Sequence, residues 1–126
     1  MLVKKRRIIE ESTGLKNGNL LDAGSGTGHF LFEMKKAGWD VKGIEINEKA
    51  RQYSISVHGV DVIDPGHMPN LPAGSFDCIT MWHVLEHFQD PYKYVYEISR
   101  LLKPEGICII ALPNRDSYDA AYYKKF

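Results

Sequence analysis

A three-layer α/β fold with a mostly parallel sheet is what this sequence predicts, and three observations predict it. From residue 19 onward, short apolar runs alternate with segments of helical periodicity. The run at 107–112 (ICIIAL) is apolar almost throughout, as expected of a strand whose two faces are both covered by helices. Glycines 24, 26 and 28 fall where the first apolar run gives way to the first helical segment, a junction at which such folds bind ligands.

Taken in order, residues 19–23 (NLLDA) read as a buried strand that delivers the chain through Asp22 into the glycine cluster. Phe30, Leu31, Met34 and Ala37 then fall at helical spacing and stop at Gly38, a natural C-cap. Residues 39–46 (WDVKGIEI) give a second strand, 48–56 a second helix and 59–63 (GVDVI) a short third strand. Pro65, Gly66, Pro69, Pro72 and Gly74 make residues 64–74 a loop. Residues 75–82 (SFDCITMW) form a fourth strand. Asp90-Pro91 starts a helix, with the aspartate as N-cap and the proline in the first turn. Tyr94, Val95, Ile98, Leu101 and Leu102 supply its apolar stripe, the KPEG at 103–106 ends it, and 107–112 is a fifth strand. Strands joined in this way need right-handed crossovers and place ligands beyond their carboxyl ends, near residues 22–28, 45–47, 64 and 82–87.

The length of 126 residues suits one domain with a real core. Sixteen basic and sixteen acidic side chains cancel, so overall charge gives no reason to bind nucleic acid or an anionic membrane, and a small-molecule substrate is the default partner. The dense charge cluster Lys4-Lys5-Arg6-Arg7 reads as a solvated helix face rather than a nucleic-acid patch, because it does not recur. Cys78 and Cys108 lie within apolar, strand-like runs and read as small buried hydrophobes, which argues against a disulfide framework or zinc site. No apolar stretch has the length of a signal-peptide core or a membrane span, which makes the cytoplasm the expected location.

Asp22-Ala23-Gly24-Ser25-Gly26-Thr27-Gly28 carries the most chemistry. Glycine lets the backbone turn tightly and lets a ligand approach closely, while free amides at a helix start favour an anionic group. The dinucleotide fingerprint G-x-G-x-x-G, counted from Gly24, needs a glycine where His29 stands, so the spacing here is G-x-G-x-G. Glu45 ends the second strand seventeen residues beyond Gly28, where a carboxylate accepts hydrogen bonds from ribose hydroxyls.

An acidic residue before G-x-G-x-G resembles the first motif of class I S-adenosylmethionine (SAM)-dependent methyltransferases. The LPAGSFD at 71–77 and the HVLEH at 83–87 with Asp90-Pro91 resemble the branch that includes ubiquinone-pathway O-methyltransferase-like proteins. The resemblance covers residues 19–114. It implies a Rossmann-like sandwich, SAM as cofactor, and methyl transfer to a small-molecule acceptor that the sequence does not identify. It further implies that Gly24, Ser25 and Gly26 hold the methionine part of SAM, and that Asp22 faces its ammonium group. Glu45 takes the ribose and Ile46 packs on the adenine; Trp82 and His83 border the pocket. Asp64 is the acid nearest the place where relatives contact the adenine amino group. His83, Glu86 and His87 share one helical face and could be metal ligands, although no metal is expected, and no catalytic residue is assigned. Methyl transfer from a sulfonium rests largely on positioning, so the class survives without one.

Family members continue past the fifth strand with a helix and two further strands. The chain is therefore expected to be a single SAM-binding domain over residues 1–126, C-terminally incomplete and lacking the last two strands. The dozen residues after Asn114 have room for one short helix, which leaves the fifth strand as an exposed edge for homodimerisation. The alternatives are a non-catalytic SAM-binding module and an NAD-type oxidoreductase, the latter opposed by the glycine spacing.

Overall fold

The computed structural model describes residues 2–82, 91–113 and 118–124. Its elements are α1 (Leu2–Thr13), β1 (Asn19–Ala23), α2 (His29–Lys36), β2 (Asp40–Ile44), α3 (Glu48–Tyr53), β3 (Asp61–Ile63), β4 (Phe76–Met81), α4 (Pro91–Leu101), β5 (Leu102–Pro113) and β6 (Tyr118–Lys124). They build one six-stranded sheet in the order β3-β2-β1-β4-β5-β6. The first five strands run parallel. The chain winds outward from β1 in one direction to β3 and then restarts at β4 on the other side. β1 and β4 are thus the neighbours between which the winding reverses, the position where such sheets open a ligand crevice.

Strand alternation splits the core in two. From β1, Leu20 joins Phe30, Leu31 and Met34 of α2 and Ile9 of α1 on one face. Leu21 and Ala23 point the other way, to Ile98 and Leu101 of α4 and to Met68. Both cysteines are buried and unpaired, and burial pushes the Cys108 thiol up to about 12, so they serve as apolar filling.

Several elements depart from the sequence reading. The helix expected over 48–56 is α3 followed by a π-helical turn, Ser54–His58, that ends on Gly59 at φ 64°. The Ser54 hydroxyl lies within reach of Ala50 O (2.9 Å) and Gly26 O (3.2 Å), which ties this widened turn to the glycine loop. Within the expected loop 64–74, Pro65–Asn70 is a 3₁₀ helix whose N-cap, Asp64, accepts from Gly66 N at 2.8 Å. The KPEG at 103–106 lies inside β5, in the irregular stretch between the pairs Phe76–Leu102 and Cys78–Ile107. Val95 is exposed, so the buried stripe of α4 is narrower than expected.

The largest correction concerns the tail. Where a short helix was expected, residues 118–124 form β6, which pairs antiparallel with β5 from Ile107–Lys124 to Pro113–Tyr118. The backbone groups of the β5 edge are satisfied by the chain itself, which removes the argument for a dimer formed through that edge. Tyr118, Tyr122 and Tyr123 suit a strand, a preference hidden by counting only the residues available.

Candidate cofactor site

The glycine loop sits at the carboxyl end of β1 because three of its residues adopt left-handed backbone: Gly24 (φ 79°), Gly26 (φ 60°) and Gly28 (φ 85°). A Cβ on Gly26 would enter open space, whereas one on Gly28 would strike Ser54. Gly26 therefore borders the open side of the loop and Gly28 its packed side. The loop also needs Gly43 of β2, where a Cβ would lie 2.5 Å from Ser25 Oγ and 2.7 Å from Leu31 Cδ1.

The loop amides are largely engaged. Gly24 N and Ser25 N both donate to Ile44 O, at 2.7 and 3.0 Å. Gly26 N donates to Glu45 Oε1 at 2.8 Å, and Asn47 N donates to Glu45 Oε2 at 2.9 Å. Each Glu45 oxygen thus holds one amide and keeps room for a further donor, since an ionised carboxylate offers about four acceptor positions. Beside it Ile46 is 77% exposed, an apolar side chain left largely uncovered. The first turn of α2 has no side-chain cap, so its start remains a place for a polar group.

Asp22 forms the floor and is 2% exposed. The β1–β4 register places it directly beside Thr80, whose hydroxyl donates to Asp22 Oδ1 at 2.8 Å. Burial raises the Asp22 carboxyl to about 7; the Thr80 hydrogen bond and the charge of Lys5 pull it down, and the charge of Glu45 pushes it up. Lys5 belongs to the expected solvated charge cluster, yet it turns inward from α1. Its Nζ lies 5.0 Å from the Trp82 ring centroid and 5.5 Å from that of Phe30, and burial lowers its pKa. Trp82 packs edge-on against Phe30 with centroids 5.5 Å apart, and is a buried wall rather than an exposed stacking surface.

The structure brings Asp22, Gly24, Ser25, Gly26, Glu45 and Ile46 to one end of the sheet, with Trp82 at the end of β4. His83, Glu86 and His87 lie outside the described residues. Among the described residues no group of three or more His, Cys, Asp or Glu side chains could hold a metal. Sequence reasoning missed Thr80, Lys5 and Gly43.

A doubly wound parallel sheet, with a glycine loop after its first strand and a carboxylate after its second, defines a Rossmann-like nucleotide-cofactor domain. The comparisons narrow this. Residues 4–126 match the family described as "Methyltransferase domain", and the chain belongs to that family. It is 31% identical over 112 residues to a ubiquinone biosynthesis O-methyltransferase of Psychrobacter cryohalolentis, covering 82% of this chain and 44% of that protein. It is 33% identical over 116 residues to one of Pseudomonas aeruginosa, covering 86% and 50%. The chain spans about half the length of these curated relatives. A crystal structure of a SAM-dependent methyltransferase from Aquifex aeolicus superposes with a TM-score of 0.73 at 25% identity, covering 89% of this chain and 67% of that one.

Proposed function

We propose that this chain is the SAM-binding domain of a methyltransferase that acts on a small-molecule acceptor in the cytoplasm. The observation that carries the reading is Glu45. Its carboxylate ends β2, is fixed by two amides including that of Gly26, and keeps acceptor capacity on both oxygens toward the open cleft.

The cofactor's chemistry fits the residues present. SAM offers a ribose diol, which two carboxylate oxygens accept, and an ammonium group, which suits a buried carboxylate that accepts from the Thr80 hydroxyl. Gly26 opens onto free space. Ser25 Oγ and Trp82 Nε1 are buried without a partner among the described residues, so unused hydrogen-bonding capacity remains beside the loop.

When bound, SAM supplies a methyl group on a sulfonium, already activated for displacement. In this reading Glu45 orients the nucleoside, Ile46 offers the base an apolar surface, and the 24–26 loop with Asp22 fixes the amino-acid end. The rigid floor of Asp22, Thr80, Phe30 and Trp82 excludes water from beneath it. Positioning is the protein's contribution, and acid–base catalysis is assigned to none of these residues. The names of the relatives make an oxygen acceptor the first class to assay.

Calorimetric titration with SAM and S-adenosylhomocysteine tests the reading, with NADH as the control ligand. Binding of both sulfur nucleosides and not of NADH is expected; heat from NADH alone would reverse the assignment.

A further inference from the structure

Arg51 of α3 has no part in the site as described so far. Its side chain is 18% exposed, and one nitrogen, Nη1, lies within hydrogen-bond distance of three acceptors that share its two hydrogens. These are Glu45 O at 2.7 Å, Ile46 O at 2.9 Å and Asp64 Oδ2 at 3.2 Å. The first two are the main-chain carbonyls of the residues assigned to ribose and adenine. The third belongs to the acid that follows β3. Asp64 in turn uses its other oxygen, Oδ1, to accept from Gly66 N at 2.8 Å. Glu45 N also donates to Ile63 O at 3.0 Å, so the ends of β2 and β3 are sewn together on both sides of Arg51.

This arrangement matters because the segment at 45–47 is a strand-to-helix connection whose exposed side chains do little to hold it. Ile46 is mostly exposed, and Glu45 is held through its carboxylate, the group assigned to the ligand. Something other than the ligand-facing groups must fix the backbone that carries them. A part-buried guanidinium nitrogen that bridges two successive carbonyls and a carboxylate ties these groups to α3. With one oxygen engaged by Arg51 and the other by an amide, Asp64 anchors the guanidinium.

We infer that Arg51 is the positioning residue for the nucleoside half of the cofactor, and that Asp64 acts through Arg51 instead of reading the adenine itself. The inference rests on the SAM reading above.

The test titrates wild type, Arg51→Met, Asp64→Ala and the double variant with SAM, S-adenosylhomocysteine and 5′-methylthioadenosine, well below each variant's unfolding midpoint. Arg51→Met is expected to weaken all three ligands by a similar factor, about tenfold, because each contains the nucleoside. A change that merely lowered stability would shift the midpoint and leave these affinities in place. Asp64→Ala is expected to cost less, and to cost nothing further once Arg51 is gone. Arg51→Gln removes the charge and shortens the side chain, and takes the place of Arg51→Met in the cycle if the latter does not fold. Wild-type binding with unaltered affinity in the Arg51 variant would overturn the inference alone. Additive losses for Arg51 and Asp64 would overturn the assignment of Asp64. Absence of SAM binding by wild type would overturn the cofactor reading, and the inference with it.

Discussion

The floor and the rim of the cleft each present a carboxylate, and the two are held in opposite ways. Glu45, on the rim, accepts one backbone amide on each oxygen and has partial access to water. Asp22, on the floor, is buried with one hydroxyl donor and the nearby charge of a half-buried lysine. The rim carboxylate is held on both oxygens before any ligand arrives. The floor is built so that a cation arriving with a ligand stabilises it most.

The largest expected effect tests the floor. Raising a carboxyl from 3.8 to about 7 means that the folded protein holds this proton more tightly than the unfolded chain. The contribution of Asp22 to stability therefore falls as pH rises from about 4 to about 7 and is level above that, a cost on the order of 4 kcal/mol. Asp22→Asn should be more stable than wild type at pH 8, with the difference shrinking toward pH 5 in chemical denaturation. The same proton links to the ligand. Wild-type SAM affinity should rise with pH up to about 7 with proton release, and Asp22→Asn should show neither.

Breaking the rim comes next. Glu45→Ala removes the proposed ribose acceptor and frees the Gly26 amide, and is expected to weaken SAM by about 100-fold in calorimetry, the loss of two charge-assisted hydrogen bonds. Its stability should change far less than its affinity. If stability and affinity fall together, the rim carboxylate is structural and the contrast with the floor collapses.

Two smaller effects sharpen the comparison. Gly43→Ala pushes a methyl group into Ser25 and Leu31 beneath the loop, and should cost about 2 kcal/mol in denaturant unfolding. Thr80→Val keeps the volume but removes its hydrogen bond to Asp22, for a loss of about 1 kcal/mol and a further rise in the Asp22 pKa, readable by carboxyl NMR titration.

What could be read in advance follows from how contacts are encoded. The succession of the five parallel strands along the chain, the glycine loop and the place of Glu45 after β2 are legible because each depends on local periodicity or on spacing along one β-α-β unit. Thr80 was not, because it meets Asp22 only through the register of β1 on β4, 58 residues away. Lys5 had a signal that charge counting overrode: Ile9, one helical turn on, is fully buried, so the stripe of α1 that faces the sheet includes Lys5. Gly43 also had one, since a glycine inside a strand marks a close approach. Arg51 had none, because its acceptors are main-chain carbonyls that any sequence provides. The tail was misread because the length left was taken to favour a helix, while the open edge of β5 offered a strand its hydrogen bonds.

The most direct test of the account is a crystal structure of the chain with S-adenosylhomocysteine. It should place both ribose hydroxyls on the Glu45 carboxylate, the adenine against Ile46 and the ammonium group toward Asp22. A nucleoside bound away from Glu45 would contradict it.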